Sequence, residues 1–261
     1  MNPYIHFSKK ELEAINLSDI HIYRIFPFDR FIDLITQSSN VLVQPQLWED
    51  PYENPLKGII TDPKTATQFS IPLFERVFAQ CWSLHDQSDA MWRIYSPDKK
   101  GVLVKVKADN LLSSLASAPE IKISSHQRLF LGKVLYKTQI NLKKVFENNT
   151  YIKTILRKPL MKPPIAAAKS LLYKRDSFKH EEEVRIIFIN HVLDDAKPKI
   201  SKFTINPKSL IESVTLDPRL ENVDYKRQKD IIKAVGYSGG ISKSSLYKLP
   251  TLNLQAPGHF R

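Results

Sequence analysis

Two glutamates one residue apart, Glu181 and Glu183, head the apolar run Val184-Arg185-Ile186-Ile187-Phe188. Side chains alternate across a strand, so Val184, Ile186 and Phe188 are placed for a core while Glu181, Glu183 and Arg185 share the opposite face. Two carboxylates and a guanidinium then converge. Like charges held together perturb each other's proton affinity, which suits acid/base or electrostatic chemistry. The other reading of the same octapeptide is a solvated strand end whose charges discourage edge-to-edge pairing. Taken by itself, the octapeptide fits that second reading better.

Two further segments carry groups able to bind or react. Tyr23 and Arg24 lie in the alternating, β-favouring stretch His21–Phe26, and Cys81, Trp82 and Ser83 lie in the apolar stretch 76–84. Cys81 is the only cysteine, which excludes an internal disulfide and a cysteine-built zinc site. As a nucleophile it would need a base. His85 is near in sequence, but four residues along a strand and turn do not bring the two together, and a buried small hydrophobe is the ordinary role of a lone cysteine. The seven histidines are scattered without ligand spacing, so no metal site is expected from them. Asp50, Glu53, Glu181 and Glu183 could converge on Mg²⁺ if the fold joined them, which would be phosphodiesterase chemistry. Trp48, Tyr52, Trp82, Trp92 and Tyr95 cluster around these motifs; such aromatics serve mostly as core, and exposed ones beside Arg24 would stack on a nicotinamide, adenine or nucleobase.

The elements that must position these groups can be read from periodicity. Strands are expected at His21–Phe26, 41–43, 76–84, 101–106, 132–138, 181–188, 202–205, 211–216 and 241–243. Helices are expected at 8–16, 28–38, 88–95 with Ser88 as cap, 142–156, 166–173, and 219–235 stopped by Gly236. Residues 48–55 read as a turn-rich loop around Pro51 and Pro55. Strands and helices mix without a regular βαβ alternation, and no Gly-x-Gly-x-x-Gly or Walker loop occurs. This points to one α+β domain over residues 1–261, a mixed sheet with flanking helices.

The chain has 261 residues, 42% of them hydrophobic, with no run long enough to cross a bilayer. Met1-Asn2-Pro3-Tyr4-Ile5-His6 lacks the layout of a secretory signal, so a cytoplasmic location is expected. The net charge is +12, and residues 122–175 hold thirteen lysines and arginines against a single acid, Glu147. That largely helical basic segment, about 139–175, implies a polyanionic partner such as RNA or DNA, with Lys153, Arg157 and Lys158 as its expected contacts; a solvated face without a partner is the alternative.

The order Tyr23-Arg24, Cys81-Trp82-Ser83, Glu181-Glu182-Glu183-Val184 resembles the arginine-serine-glutamate class of ADP-ribosyltransferases, with Cys81 where the class has its first serine and Trp82 where it has threonine. The resemblance implies NAD as substrate. Arg24 would hold its pyrophosphate beside Tyr23, Trp82 would line the cofactor site, and Ser83 would orient the nicotinamide ribose. Glu183 would be the catalytic carboxylate and Glu181 would activate or select the acceptor. Over a longer span, roughly 20–249, the motifs Tyr23-Arg24, Asp50-Pro51-Tyr52-Glu53, Cys81-Trp82-Ser83, Met91-Trp92-Arg93-Ile94-Tyr95, Gly101-Val102, Val134-Leu135-Tyr136, Glu181-x-Glu183-Val184-Arg185, Val214-Thr215-Leu216-Asp217-Pro218-Arg219 and Ile241-Ser242-Lys243-Ser244 resemble the bacterial domain-of-unknown-function family twenty-nine seventy-one. That family names no activity. Two activities follow as expectations: an NAD-cleaving transferase that modifies nucleic acid or a protein bound to it, and a non-catalytic nucleic-acid-binding module.

Overall fold

The computed structural model describes residues 4–6, 20–53, 60–61, 68–69, 75–121, 127–148, 163–190 and 198–251. In chain order these form β1 (Tyr4–His6), β2 (His21–Phe26), α1 (Phe28–Gln37), β3 (Ser39–Val43), β4 (Ile60–Thr61), β5 (Gln68–Phe69), β6 (Val77–Ser83), α2 (Asp89–Tyr95), β7 (Val102–Lys107) and α3 (Ala108–Ala116). Then follow β8 (Gln127–Lys133), β9 (Leu135–Lys137), α4 (Gln139–Asn148), α5 (Pro163–Ser170), β10 (Tyr173–Arg175), β11 (Glu183–Asn190), β12 (Ile200–Thr204), α6 (Pro207–Leu210), β13 (Ser213–Leu216), α7 (Asn222–Ala234) and β14 (Gly240–Lys243). Single 3-10 turns at Pro45–Leu47 and Pro51–Glu53 and a longer one at Asp176–Glu181 complete the set. The fold is α+β.

A mixed sheet orders its strands β1-β8-β11-β6-β2-β7-β13-β14, with β3 joined to β6 and β12 to β3. β11 sits in its middle, antiparallel to β6 through Glu183↔Ser83 to Ile189↔Val77 and to β8 on its other edge. Its Val184, Ile186 and Phe188 enter the main hydrophobic core with Phe78, Trp82 and Phe203, as the alternation predicts. The solvated strand end is overturned: Glu183 is 3% exposed and Arg185 0%, because both edges of β11 are paired and both faces covered. Glu181 is not on the strand. It ends the 3-10 turn Asp176–Glu181, and Glu182, in the left-handed region at φ 40°, redirects the chain into β11.

β6 is where the sheet splits. Its edge away from β11 meets β2 only at Tyr23↔Ser83 and β3 only at Val43↔Ala79. β2 continues instead along β7, from His21↔Lys107 to Phe26↔Val102. Pro27 ends β2, and α1 buries Phe31, Leu34 and Ile35 at helical spacing before Ser38, φ 50°, turns the chain into β3. A notch is thereby left between β2 and β3, with Arg24 one residue past the last β2–β6 pair.

Other boundaries shift for local reasons. α3 lies in a stretch that the charge and serine content of 108–117 disguised, yet it buries Leu111, Leu112 and Leu115. The strand expected at 132–138 is two strands, β8 and β9, that part after Val134, whose N–H still donates to the Glu183 carbonyl of β11 at 2.8 Å, while β9 pairs with β10. Tyr173, expected at a helix end, begins β10. α2 starts at Asp89 as expected, but the Ser88 hydroxyl makes no capping bond. The expected helix at 8–16 lies outside the described residues. α7 starts at Asn222 rather than 219, because Arg219 is engaged elsewhere.

That engagement fixes α2 against the sheet. Asp217, fully buried, receives Arg219 on both oxygens and the Ser96 hydroxyl at 2.6 Å, while Arg219 Nη2 donates to the carbonyls of Trp92 (2.8 Å) and Ser96 (2.6 Å) at the end of α2. Gly101 donates its N–H to Ser96 Oγ at 2.8 Å, and a Cβ at residue 101 would lie 2.6 Å from the Ser96 Cβ, so this approach admits only glycine. Burial pushes the Asp217 carboxyl up, but the Arg219 and Ser96 hydrogen bonds hold it below the usual carboxylate range. Asp217→Ala strands a guanidinium and is expected to cost about 3–5 kcal/mol in chemical denaturation. A loss under about 1 kcal/mol would show that α2 is held by its apolar face alone.

Candidate active site

A cavity of about 330 Å³ opens beside the head of β11 and is lined by Tyr23, Arg24, Cys81, Trp82, Ser83 and, from the turn and strand, Glu181 and Glu183; α2 closes it with Met91, Ile94 and Tyr95. The two glutamates, Arg24 and Ser83, separated by up to 159 positions in sequence, thus line one cleft. Register explains it: Glu183↔Ser83 and Tyr23↔Ser83 stack the three motifs across adjacent strands. A second cavity of about 540 Å³ fills the notch between β2 and β3 and shares Arg24, Ile25 and Pro27 with the first. Arg30, Asp33, Asn40, Gln80 and Lys202 line its remainder.

The carboxylates rest on two buried cations. Arg185 donates Nε to Glu183 Oε1 (2.8 Å), Nη2 to Glu183 Oε2 (2.9 Å) and Glu53 Oε2 (2.5 Å), and Nη1 to the Leu171 carbonyl (2.6 Å). Trp48 stacks on its guanidinium at 4.3 Å. The Lys174 ammonium, 5% exposed, reaches Glu181 Oε2 at 2.5 Å, Glu53 Oε1 at 2.9 Å and Glu183 Oε2 at 3.2 Å. Glu53 and Lys174 were not expected in these roles: the first was read as a metal ligand and the second only as part of the basic segment. The Glu181, Glu183 and Glu53 carboxylates converge on an ammonium, and Asp50 is taken by Arg175 at 3.1 Å. Among the described residues no group of His, Cys, Asp or Glu is arranged to hold a metal ion, so the Mg²⁺ reading finds no geometry to support it.

Burial pushes both site glutamates toward the neutral form, and their neighbours separate them. At Glu183 the charge and hydrogen bonds of Arg185, with Lys174, outweigh burial and hold the carboxyl at about 2. At Glu181 burial prevails over Lys174, with Glu183 and Glu53 adding to the rise. Two carboxyls pushed apart in this way divide into a fixed charge and a proton-exchanging group. Tyr95, on α2, donates its hydroxyl to Glu181 Oε1 at 3.2 Å and is half-exposed at the cavity mouth. Tyr136 accepts from the Glu183 N–H at 2.8 Å, holding the strand head against β9.

The remaining expected residues fall in place as follows. Arg24 is partly exposed, but its Nη1 is buried and has no hydrogen-bond partner among the described residues; its guanidinium lies 4.8 Å over Phe26. Burial lowers its proton affinity, with Cys81, Tyr95 and Glu183 opposing, and an arginine stays charged regardless. The Ser83 hydroxyl donates to the Glu181 carbonyl at 2.7 Å and accepts from the His85 N–H at 3.0 Å, so it ties the glutamate turn to β6. Trp82 is core, its indole N–H donating to Gln80 at 2.9 Å. Burial, then Glu183, pushes the Cys81 thiol well up, which removes the thiolate a nucleophile needs. Trp92 is fully buried, while Trp48 and Tyr52 lie on Arg185 and Arg175. Lys153, Arg157 and Lys158 lie outside the described residues.

No curated protein sequence matches the chain. Among solved structures it is similar to Thermus sp. 2.9 DarT in complex with NAD+, at a TM-score of 0.37 and 11% identity over 87% of this chain and 96% of that one. It is also similar to the same DarT in complex with ADP-ribosylated ssDNA, at a TM-score of 0.39 and 8% identity over 87% and 94% of the two chains. The family anticipated from the motifs is the one whose model matches, described as protein of unknown function (DUF2971), over residues 91–186, from α2 to the middle of β11, a stretch that includes Lys174, Glu181, Glu183 and Arg185.

Proposed function

We propose that the protein cleaves NAD at the bond between nicotinamide and ribose and transfers the ADP-ribose to nucleic acid or to a protein bound to it. The observation that carries this reading is Arg24, a guanidinium with an unpartnered buried nitrogen in the wall shared by two cavities, one of which also presents Glu181 and Glu183. A buried donor without a partner is costly unless a ligand supplies the acceptor. A guanidinium between two cavities suits the pyrophosphate of a dinucleotide, whose nucleoside halves would occupy the cavities on either side.

The nicotinamide half belongs beside the glutamates. As the C1′–N bond breaks, nicotinamide leaves with the electron pair and the ribose becomes cationic. Glu183, ionised throughout the neutral range, supplies a fixed negative charge in a water-poor site, where such a charge acts strongly. The acceptor oxygen or nitrogen then bonds to C1′ and its proton passes to Glu181 or to water. Tyr23 and Trp82 contribute walls, and Ser83 fixes the turn that carries Glu181.

The acceptor reading rests on charge. Part of the basic segment is neutralised in space, Lys174 by three glutamates and Arg175 by Asp50. Lys137, Lys143 and Lys144 remain on or near α4, Lys143 paired with Glu147 at 3.7 Å on the surface. With Lys153, Arg157 and Lys158 they would meet phosphates.

Glu183→Gln is expected to lower nicotinamide release by about 10²–10³. The amide cannot match the buried donors of Arg185 and Lys174, so the melting temperature should also fall; unchanged release in a variant that is still folded would remove Glu183 from the chemistry. Arg24→Lys keeps the charge but loses the planar fork, and NAD affinity by calorimetry should fall about tenfold. Equal affinity would exclude a phosphate role for Arg24. Filter binding of single-stranded DNA and RNA should weaken steeply with salt, about 10³-fold between 50 and 200 mM for six phosphate contacts. Charge reversal at Lys153, Arg157 and Lys158 should reduce that binding and leave nicotinamide release intact. Salt-sensitive binding without nicotinamide release from the wild type, with any acceptor, would instead establish the binding module.

A further inference from the structure

Glu181 and Glu183 are not equivalent as acceptors of hydrogen bonds. A carboxylate offers about four lone-pair positions. Glu183 already receives Nε and Nη2 of Arg185 and the ammonium of Lys174. Among the described residues the Glu181 carboxylate receives Lys174 and the Tyr95 hydroxyl, and it lines the cavity. The carboxylate with room for a substrate proton is therefore Glu181.

Among the described residues the Lys174 ammonium is the group that touches both glutamates as well as Glu53, and it comes from β10, a strand outside the main sheet. We propose that Lys174 is a positioning residue: its ammonium, held also by Glu53, locks Glu181 and Glu183 into one constellation in which Glu181 is placed to take the acceptor's proton. This rests on the ADP-ribose transfer reading for its chemistry, in which the acceptor atom bonds to C1′ as nicotinamide departs and the acceptor's proton goes to Glu181. The groups facing the pair are Lys174 from β10, Glu53 from the Pro51–Glu53 turn, Arg185 from β11, Cys81 from β6, Tyr95 from α2, Tyr136 from β9 and Arg24 from β2.

The sign is open to experiment. Wild-type Glu183 has its proton affinity depressed, so its contribution to stability is complete above the usual carboxylate range and is lost as pH falls toward about 2. Lys174→Met removes a positive neighbour, so both carboxyls should bind protons at higher pH, by roughly one unit or more, and the acid-side loss of stability due to Glu183 should be smaller and complete at a higher pH. Glu53→Gln removes a negative neighbour, so Glu181 should move the opposite way. Carboxyl-carbon NMR of glutamate-labelled protein reads both titrations, with Glu181→Gln and Glu183→Gln as assignments. With nicotinamide release as readout, Lys174→Met should lower kcat by about 10²-fold with little change in KM, and its acid limb should follow the NMR titration. Lys174→Arg should restore the titrations. Titrations and acid limb that stay in place in a folded Lys174→Met protein would overturn the proposal, as would shifts of the same sign in Lys174→Met and Glu53→Gln. If Lys174→Met does not fold, the Glu53→Gln shift alone decides, and an unmoved Glu181 there overturns it. Opposite shifts in a protein that releases no nicotinamide would keep Lys174 as the group that sets the pair while overturning NAD cleavage.

Discussion

Two cations buried among three carboxylates, Lys174 and Arg185 with Glu53, Glu181 and Glu183, hold together parts of the chain that otherwise belong to different layers. Taking such charges out of water is expensive, and the cost is met only when nearly every donor and acceptor is matched. Here the matching is close: Arg185 spends Nε and both terminal nitrogens, and Lys174 spends its three hydrogens on three carboxylates. The cluster joins the Pro51–Glu53 turn, β10, the Asp176–Glu181 turn and β11, so the two glutamates that line the cavity are tied from behind to two further segments. A buried ionic cluster contributes little net stability against a hydrophobic substitute. Its value is in position, since each carboxylate has one place where its partners are satisfied.

The cavity itself comes from an interruption in the sheet. β6 pairs fully with β11 but only at single positions with β2 and β3, and the divergence between those two strands opens the notch in which Arg24 stands. α2 forms the opposite wall. It is a short helix of seven residues, too short to be stable alone, and the Asp217–Arg219–Ser96 latch fixes its end to the sheet. The Asp217-Pro218-Arg219 motif therefore serves the site indirectly, by setting where Met91, Ile94 and Tyr95 stand.

Charge counted along the chain and charge arranged in space differ in an instructive way. The basic excess of residues 122–175 includes two cations that the fold turns inward, toward acids from residues 50, 53, 181 and 183. Among the described residues of that stretch, Lys143 and Lys144 of α4 are exposed. The run that reads as an exposed acidic strand head is buried because its charges are matched by Arg185 and Lys174 nearby in the chain, with Glu53 from far along it completing the set.

Hydrophobic alternation and periodicity were enough, from residues alone, to define most strands and helices near the site and to place Val184, Ile186 and Phe188 in the core, because these patterns are local and each strand has a face to bury. The motif order also sufficed to select Arg24, Ser83, Glu181 and Glu183 as a set. Sequence could not say that β11 is central, that Val134 divides one expected strand into two, or that Lys174 stands between the glutamates, since each depends on pairing between segments far apart in the chain. The proton affinities of Glu181 and Glu183 belong to the same class. Two glutamates one residue apart are chemically alike as sequence, and only burial together with the distances to Arg185, Lys174 and Tyr95 holds Glu183 in the charged form and pushes Glu181 the other way.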